Sequence, residues 1–200
     1  MISNYDLMGV RSNIPVTQVQ VLPKFFYEHE VFAIKKMSEQ FPEEDGTTIS
    51  SHGSDNVISR NSKLRWLVWN DEIWWIYAKI MERVKLLNDS IWRFDLFGIN
   101  EFIQYTEYRI NDGSRGHYDW HVDISHEGIS SNRKLSFECV LDDDFHGGDM
   151  SILMGPEEYR VPLQKGDAII YPSFLMNKVY PVTHGNRKSI VCWISGPSFK

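Results

Sequence analysis

His121 and Asp123 stand two residues apart in the run Gly116-His117-Tyr118-Asp119-Trp120-His121-Val122-Asp123. On an extended segment residues two apart point to the same side, so this imidazole and carboxylate can grip one divalent metal. One further ligand would make a facial set that leaves the other coordination positions open. Alone, such a pair is more often two surface polar residues, and its weight depends on the motifs downstream of it. Three of these occur in order. Gly147-Gly148-Asp149-Met150-Ser151-Ile152 is a tight glycine turn feeding a strand. Lys165-Gly166-Asp167-Ala168-Ile169-Ile170-Tyr171-Pro172-Ser173 is a turn, a strand and a proline stop. Val179-Tyr180-Pro181-Val182-Thr183-His184-Gly185-Asn186-Arg187-Lys188-Ser189 is a strand, a hairpin turn and an arginine opening the last strand. Each is common by itself; the order and spacing carry the signal.

The elements that must position these residues fall into two textures. Residues 1–16 read as an irregular arm. Gln18 to Leu22 alternates like a strand and stops at Pro23. Val31, Ile34, Met37 and Phe41 are spaced for an amphipathic helix over 28–40, closed before Pro42. Residues 43–62 are polar and aperiodic and read as a long lid or binding loop. A short strand comes next at 64–68. Asn70 or Asp71 then caps a helix over 71–88, with Ile73, Ile76, Ile80, Val84 and Leu87 on one stripe; its tryptophans read as core. From Ile91 onward short apolar runs are broken by Gly, Asp and Asn. Strands are expected at 92–97, 101–109, 116–122, 134–141, 149–153, 158–162, 167–171, 176–182 and 188–195. Helices followed by such a β-unit predict a mainly β fold, a jelly roll with supporting N-terminal helices.

Two hundred residues, 42% apolar and 14% aromatic, suffice for one domain with a substantial core. We divide 1–200 into a helical support and loop region, 1–90, and a β-core, 91–197. With 27 acidic against 21 basic residues the net charge is −6, which argues against generic nucleic-acid affinity and for a cytoplasmic protein. There is no apolar run long enough to span a bilayer, and the start lacks the pattern of a signal peptide, so no membrane partner is expected. Cys139 and Cys192 lie in apolar surroundings without CxxC spacing and read as buried free thiols.

The sequence resembles the Fe(II)/2-oxoglutarate-dependent dioxygenases, and most of all the prolyl-4-hydroxylase-like branch in the short form found in phage genomes. The resemblance runs from about Arg60 to Pro197. It is densest at GHYDWHVD, at GGDMSI and over QKGDAIIYPSFLMNKVYPVTHGNRKSIVCWISGP. It implies a double-stranded β-helix, with Fe(II), 2-oxoglutarate and O₂ as reactants, and ascorbate admitted beside them. The implied reaction is hydroxylation of a peptidyl (prolyl-like) or other amino-acid side chain on a peptide or protein partner. The implied location is the cytoplasm, of a host cell for a phage-encoded form. By the same resemblance His121 and Asp123 match the first two metal ligands. Arg187 matches the arginine that pairs with the distal carboxylate of 2-oxoglutarate, a task suited to a planar guanidinium. Ser189 adds a hydroxyl there, Tyr108 and Tyr118 match tyrosines lining the cosubstrate pocket, and Trp120 and Trp193 are expected as barrel walls.

The sequence departs from the family at the distal histidine, whose motif reads P-S-x-x-x-H-x-V-x-P-V. Here Pro172-Ser173-Phe174-Leu175-Met176-Asn177-Lys178-Val179-Tyr180-Pro181-Val182 places Asn177 in that slot, ten residues before Arg187. Three readings stay open: Asn177 ligates the metal through its amide oxygen, it holds a water that does, or the site is lost. An amide is a poor substitute for imidazole, so metal affinity falls under any of them. The alternative function is a catalytically impaired relative acting as a binding module, and a third is a cupin-like structural protein. Among the other polar residues, His117 reads as hydrogen-bonded or pocket-lining, and His126 and His146 as solvated. Asp142-Asp143-Asp144 reads as a solvated turn, and Arg60-Asn61-Ser62 lies where such enzymes present substrate.

Overall fold

The computed structural model describes residues 17–198 apart from 47, 53, 54 and 112. The arm expected over residues 1–16 lies outside them. The first elements are β1 (Gln20–Leu22), a first helix (Glu28–Ser38), β2 (Glu44–Asp45), β3 (Thr48–His52), β4 (Asp55–Asn61) and β5 (Lys63–Leu67). A second helix (Trp74–Ser90) leads to β6 (Gly98–Ile99), β7 (Ile103–Tyr108), β8 (Ile110–Asn111), β9 (Ser114–Arg115) and β10 (His117–His121). Then come β11 (Arg133–Val140), β12 (His146–Gly147), β13 (Met150–Met154), β14 (Glu157–Val161) and β15 (Ala168–Pro172). The last strands are β16 (Asn177–Val179), β17 (Val182–His184) and β18 (Arg187–Ser195).

Most of the strands form two antiparallel sheets that face each other, the mainly β jelly roll expected, while β8 with β9 and β12 with β17 form two separate pairs. The larger runs β1-β15-β11-β18-β7-β5-β2, with β6 on β18, and the smaller runs β14-β13-β16-β10-β4-β3. Strand periodicity sorts the central strands of the larger sheet. Ile103, Tyr105, Leu135, Phe137, Cys139, Ile190, Cys192 and Ile194 face the helices in one apolar core. The intervening positions, among them Gln104, Tyr108, Glu138, Val191 and Trp193, line a cleft shared with the smaller sheet. A sheet buried on both faces but polar on one is arranged to hold something polar between the sheets.

The helices brace the apolar face. In the first, Val31 and Ile34 are buried, Glu28 and Glu30 sit in the first turn and Lys35 and Lys36 in the last, as the helix dipole favours. In the second, Ile76, Ile80 and Val84 recur at four-residue spacing and are fully buried. This helix starts three residues later than expected, with Ile73 as N-cap and no side-chain cap, while Asn70 Oδ1 accepts from the backbone of Glu72 and Ile73 in the turn ahead of it. No helix among the described residues is long and apolar enough to cross a membrane.

The structure corrects the expected elements in three further places. Residues 43–62 are not a loop: β3 pairs with β4, and β4 pairs with β10 through His117↔Asn61 and Tyr118↔Arg60. This hairpin ends the smaller sheet, and an edge position needs no apolar alternation, so its polar sequence hid it. Residues 92–97 form no strand. The Asn88 side chain takes both backbone groups of Phe94, and Arg93 has a positive φ of 55°, which strand geometry forbids. The single strand expected at 176–182 is two, β16 and β17, interrupted at Pro181, which has no N–H for the ladder.

Candidate metal and cosubstrate site

β10 carries His121 to the inner face of the smaller sheet, directly opposite Asn177 of β16 in the strand register. The segment after β10 then bends so that the Asp123 N–H reaches the Ser173 carbonyl at 3.0 Å. His121 Nε2 and Asp123 Oδ1 thereby come within 3.3 Å. The His121 Nδ1 lies 2.8 Å from the Asp119 carbonyl, which can only accept, so Nδ1 bears the proton. In a neutral ring Nε2 then carries a lone pair, and two acceptors face each other across a short gap. A divalent cation resolves that opposition, since neighbouring ligand atoms on an octahedral centre lie about 3 Å apart. Tyr118 stacks on the His121 ring with centroids 3.4 Å apart and planes at 13°, which fixes its orientation.

Asp123 is held from behind. Its Oδ2 accepts from Ser136 Oγ at 2.5 Å and Tyr171 OH at 3.0 Å, and the Arg133 Nη1 donates to its backbone carbonyl at 2.9 Å. These outer contacts leave Oδ1 as the atom turned to His121. Burial pushes the Asp123 carboxyl up, but in the metal-free protein the hydrogen bond and charge of a protonated His121 ring, then Ser136 and Tyr171, outweigh it and hold the pKa at about 2. A carboxyl depressed in the folded state stabilises above its unfolded value of 3.8, and that contribution is lost as pH falls through 2. The metal-free protein should therefore lose about 2 kcal/mol between pH 4 and pH 2 from this group alone. Urea unfolding across that range checks it: Asp123→Asn should remove part of the slope, and an unchanged slope would refute the assignment.

Asn177 is buried at the same spot, but its amide nitrogen faces inward. Nδ2 lies 3.4 Å from the His121 carbonyl, 3.4 Å from Asp123 Oδ1 and 3.5 Å from the Leu175 carbonyl. Three acceptors around one end identify it as the NH₂, so Asn177 as placed donates toward Asp123 and offers no ligand atom. Among the described residues no three His, Cys, Asp or Glu side chains converge as a metal-binding group. The donor set thus suits a metal at two positions, with the third held by an amide that would have to turn over.

The cleft encloses about 280 Å³ between Tyr108, Tyr118, Trp66, Trp193, Arg60 and Glu138, with His121, Asp123 and Asn177 on its wall. Tyr108 and Tyr118 line it, and burial raises both phenols, Tyr108 to about 12. Trp193 lines it too, under the Arg133 guanidinium at 3.7 Å, whereas Trp120 is no cleft wall and packs near Lys178 instead. Arg187 lies behind the cleft, 1% exposed. Its Nη2 donates to Glu138 Oε1 at 2.6 Å and its Nη1 to Ser189 Oγ at 3.2 Å. Gly148, at φ +66°, makes room for its stem, because a Cβ there would lie 3.0 Å from Arg187 Cδ.

Residues 103–195 match the family model of the 2OG-Fe(II) oxygenase superfamily. The chain is similar to this superfamily over the stretch from β7 to β18. One segment is 43% identical over 82 residues to a PKHD-type hydroxylase of Synechococcus sp. (strain CC9311), spanning 40% of this chain and 36% of that protein. Across such curated relatives the chain covers between 36% and 51% of their length. In fold the chain is similar to a prolyl-4-hydroxylase of Pseudomonas putida, with TM-score 0.66 and 14% identity over 91% of this chain and 94% of that one. It is similar also to a Trichoplax adhaerens prolyl hydroxylase bound to a hypoxia-inducible-factor peptide, with TM-score 0.67 and 14% identity over 97% and 94% of the two chains.

The remaining sequence candidates fall elsewhere. His117 is hydrogen-bonded, not pocket-lining: its two ring nitrogens sit 2.9 Å from the Arg115 carbonyl and 3.1 Å from the Ile58 carbonyl. His126 and His146 are exposed, and His146 pairs across to His184 in the strand register. Asp142 is not solvated but 7% exposed, in ion pairs with Lys35 and Lys188. Cys139 and Cys192 are buried free thiols, their pKa values raised by burial. Sequence reasoning missed Glu138, Ser136 and Tyr171. The strand alternation that sets Ser136 and Glu138 opposite Phe137 was legible, but in the strand Arg133-Lys134-Leu135-Ser136-Phe137-Glu138-Cys139-Val140 no local signal separates a buried glutamate from a solvent-facing one.

Proposed function

We propose that the chain is an Fe(II)- and 2-oxoglutarate-dependent dioxygenase domain that hydroxylates a peptidyl (prolyl-like) or amino-acid side chain. The observation that carries this reading is the convergence of His121 Nε2 and Asp123 Oδ1 at 3.3 Å on the wall of the cleft. His121 and Asp123 would hold the iron, which together with 2-oxoglutarate and O₂ supplies the oxidising chemistry. The chain itself supplies placement. Tyr118 keeps the imidazole in plane, Ser136 and Tyr171 aim the carboxylate, and Arg133 anchors the Asp123 backbone. Trp66, Val122 and Trp193 give the cleft an apolar side that suits a prolyl ring or aliphatic side chain. Arg60, on a strand beside the cleft, donates to Gln104 and Ser62 and stacks over Tyr118, a cation placed to meet an incoming backbone carbonyl or carboxylate. The Trichoplax neighbour binds a peptide, which supports a peptide partner here.

The test is 2-oxoglutarate turnover with Fe(II), O₂ and a peptide library, reading succinate and addition of one oxygen atom to a peptide. A second reading, the non-catalytic binding module, is favoured by the inward amide nitrogen of Asn177. Succinate from the chain as it stands supports the enzyme. Succinate from Asn177→His alone supports the binding module, and silence from both sinks the dioxygenase.

A further inference from the structure

Glu138 and Arg187 form a buried pair that the proposed chemistry does not call for. Glu138 is 5% exposed and Arg187 1%, and they meet at 2.6 Å. β11 brings Glu138 opposite Val191 of β18, four residues beyond Arg187, with both side chains on the interior face. Their order matters. Glu138 forms part of the cleft wall and Arg187 does not, so the cleft presents a carboxylate with the guanidinium behind it. Arg187 has no second carboxylate among the described ion pairs. Its Nη1 is spent on Ser189, its Nε is buried without a hydrogen-bond partner, and its guanidinium carbon lies 5.7 Å from the ring of Tyr108. A ligand carboxylate coming through the cleft would meet Glu138 first, and two buried like charges on one cation disfavour each other strongly.

We propose that Glu138 is an intramolecular competitor for the carboxylate anchor at Arg187. It weakens the hold on 2-oxoglutarate and shifts the preference of the cleft toward 2-oxo acids whose tail carries no negative charge. The inference rests on reading this cleft as the 2-oxo-acid site, and it deepens that reading by assigning the residue that selects the acid. The Glu138 carboxylate completes the charge of Arg187 as a bound dicarboxylate would, so the tail of an incoming acid needs a group that tolerates or donates to Glu138. A primary amide does this.

The experiment uses the whole chain with Mn(II), so that no turnover occurs, and calorimetric titration with 2-oxoglutarate and with its 5-amide, 2-oxoglutaramate. Glu138→Gln keeps an acceptor for Arg187 and removes the charge, and Glu138→Thr shortens the reach; a thermal melt of each confirms folding. Both are also made on an Asn177→His background, so that weak metal binding cannot hide the result. Removing the charge is expected to tighten 2-oxoglutarate at least about tenfold while moving the amide less than about threefold. The unaltered chain should bind the amide at least as well as the diacid. Equal 2-oxoglutarate affinity with and without Glu138, or an equal gain for both ligands, overturns the inference and leaves the dioxygenase reading standing. Tight 2-oxoglutarate in Glu138→Gln with Mn(II), and no succinate from that variant on the Asn177→His background with Fe(II) and O₂, upholds the inference and sinks the dioxygenase. No binding of either acid by any variant overturns both.

Discussion

Asn177→His is expected to tighten Mn(II) or Fe(II) binding at least about tenfold, ~1.4 kcal/mol. Asn177 stands directly opposite His121 in the β10–β16 register, and directly opposed residues on one sheet face carry Cβ atoms about 5 Å apart. A histidine there projects toward the same point as His121 and Asp123. What the substitution gives up is small: the three contacts of the amide nitrogen, at 3.4–3.5 Å, lie at the edge of hydrogen bonding. What it gains is a neutral imidazole in place of an amide donor that now opposes a cation, and imidazole suits iron where an amide does not. The larger ring has the cleft to extend into, since Asn177 lines it. Titration followed by Mn(II) electron spin resonance or calorimetry reads the change. Equal affinity in both proteins would show that Asn177 already ligates through its oxygen, or that His121 and Asp123 do not form a metal site.

His121 and Asp123 are legible in the sequence while their partners are not, because only some of these interactions are local. Two residues on one extended segment declare their common direction through strand period alone. The glycine turns are equally readable, since Gly147, Gly148, Gly166 and Gly185 all take positive φ, which few other residues tolerate. The second helix is legible because Ile76, Ile80 and Val84 repeat at a spacing set by its own geometry. Failures come where a partner lies far along the chain. The polar hairpin of β3 and β4 is ordered by pairing with β10, more than fifty residues later, and nothing within 43–62 announces that. Ser136 and Tyr171 reach Asp123 from two different strands of the opposite sheet. Glu138 is the sharpest case. A single glutamate within Leu135-Ser136-Phe137-Glu138-Cys139-Val140 reads locally as a solvent-facing strand position, and only the second sheet closing over it turns it into a buried charge that needs Arg187.

That dependence makes Arg187→Ala the most damaging single change expected at the site, destabilising the chain by about 3–5 kcal/mol in urea unfolding, because it leaves Glu138 buried without its cation. The pair is nevertheless a weak source of net stability, since two desolvated charges recover in mutual attraction roughly what burial costs them. The double replacement Arg187→Met with Glu138→Leu should therefore fall within about 1 kcal/mol of the unaltered protein or exceed it. Methionine follows the arginine stem past Gly148, and leucine meets Val191 and Val179 on the cleft wall. A cycle of the two single variants and the double one should show strong positive coupling between positions that are 49 residues apart in sequence. If Arg187→Ala costs no more than a surface substitution, then Glu138 either reaches water or takes up a proton. If the double variant is as unstable as the single, the pair contributes packing or order that charge compensation does not explain. The expected pattern, a single loss that the second substitution largely restores, would mean that the two charges are held together for what passes through the cleft rather than for the fold.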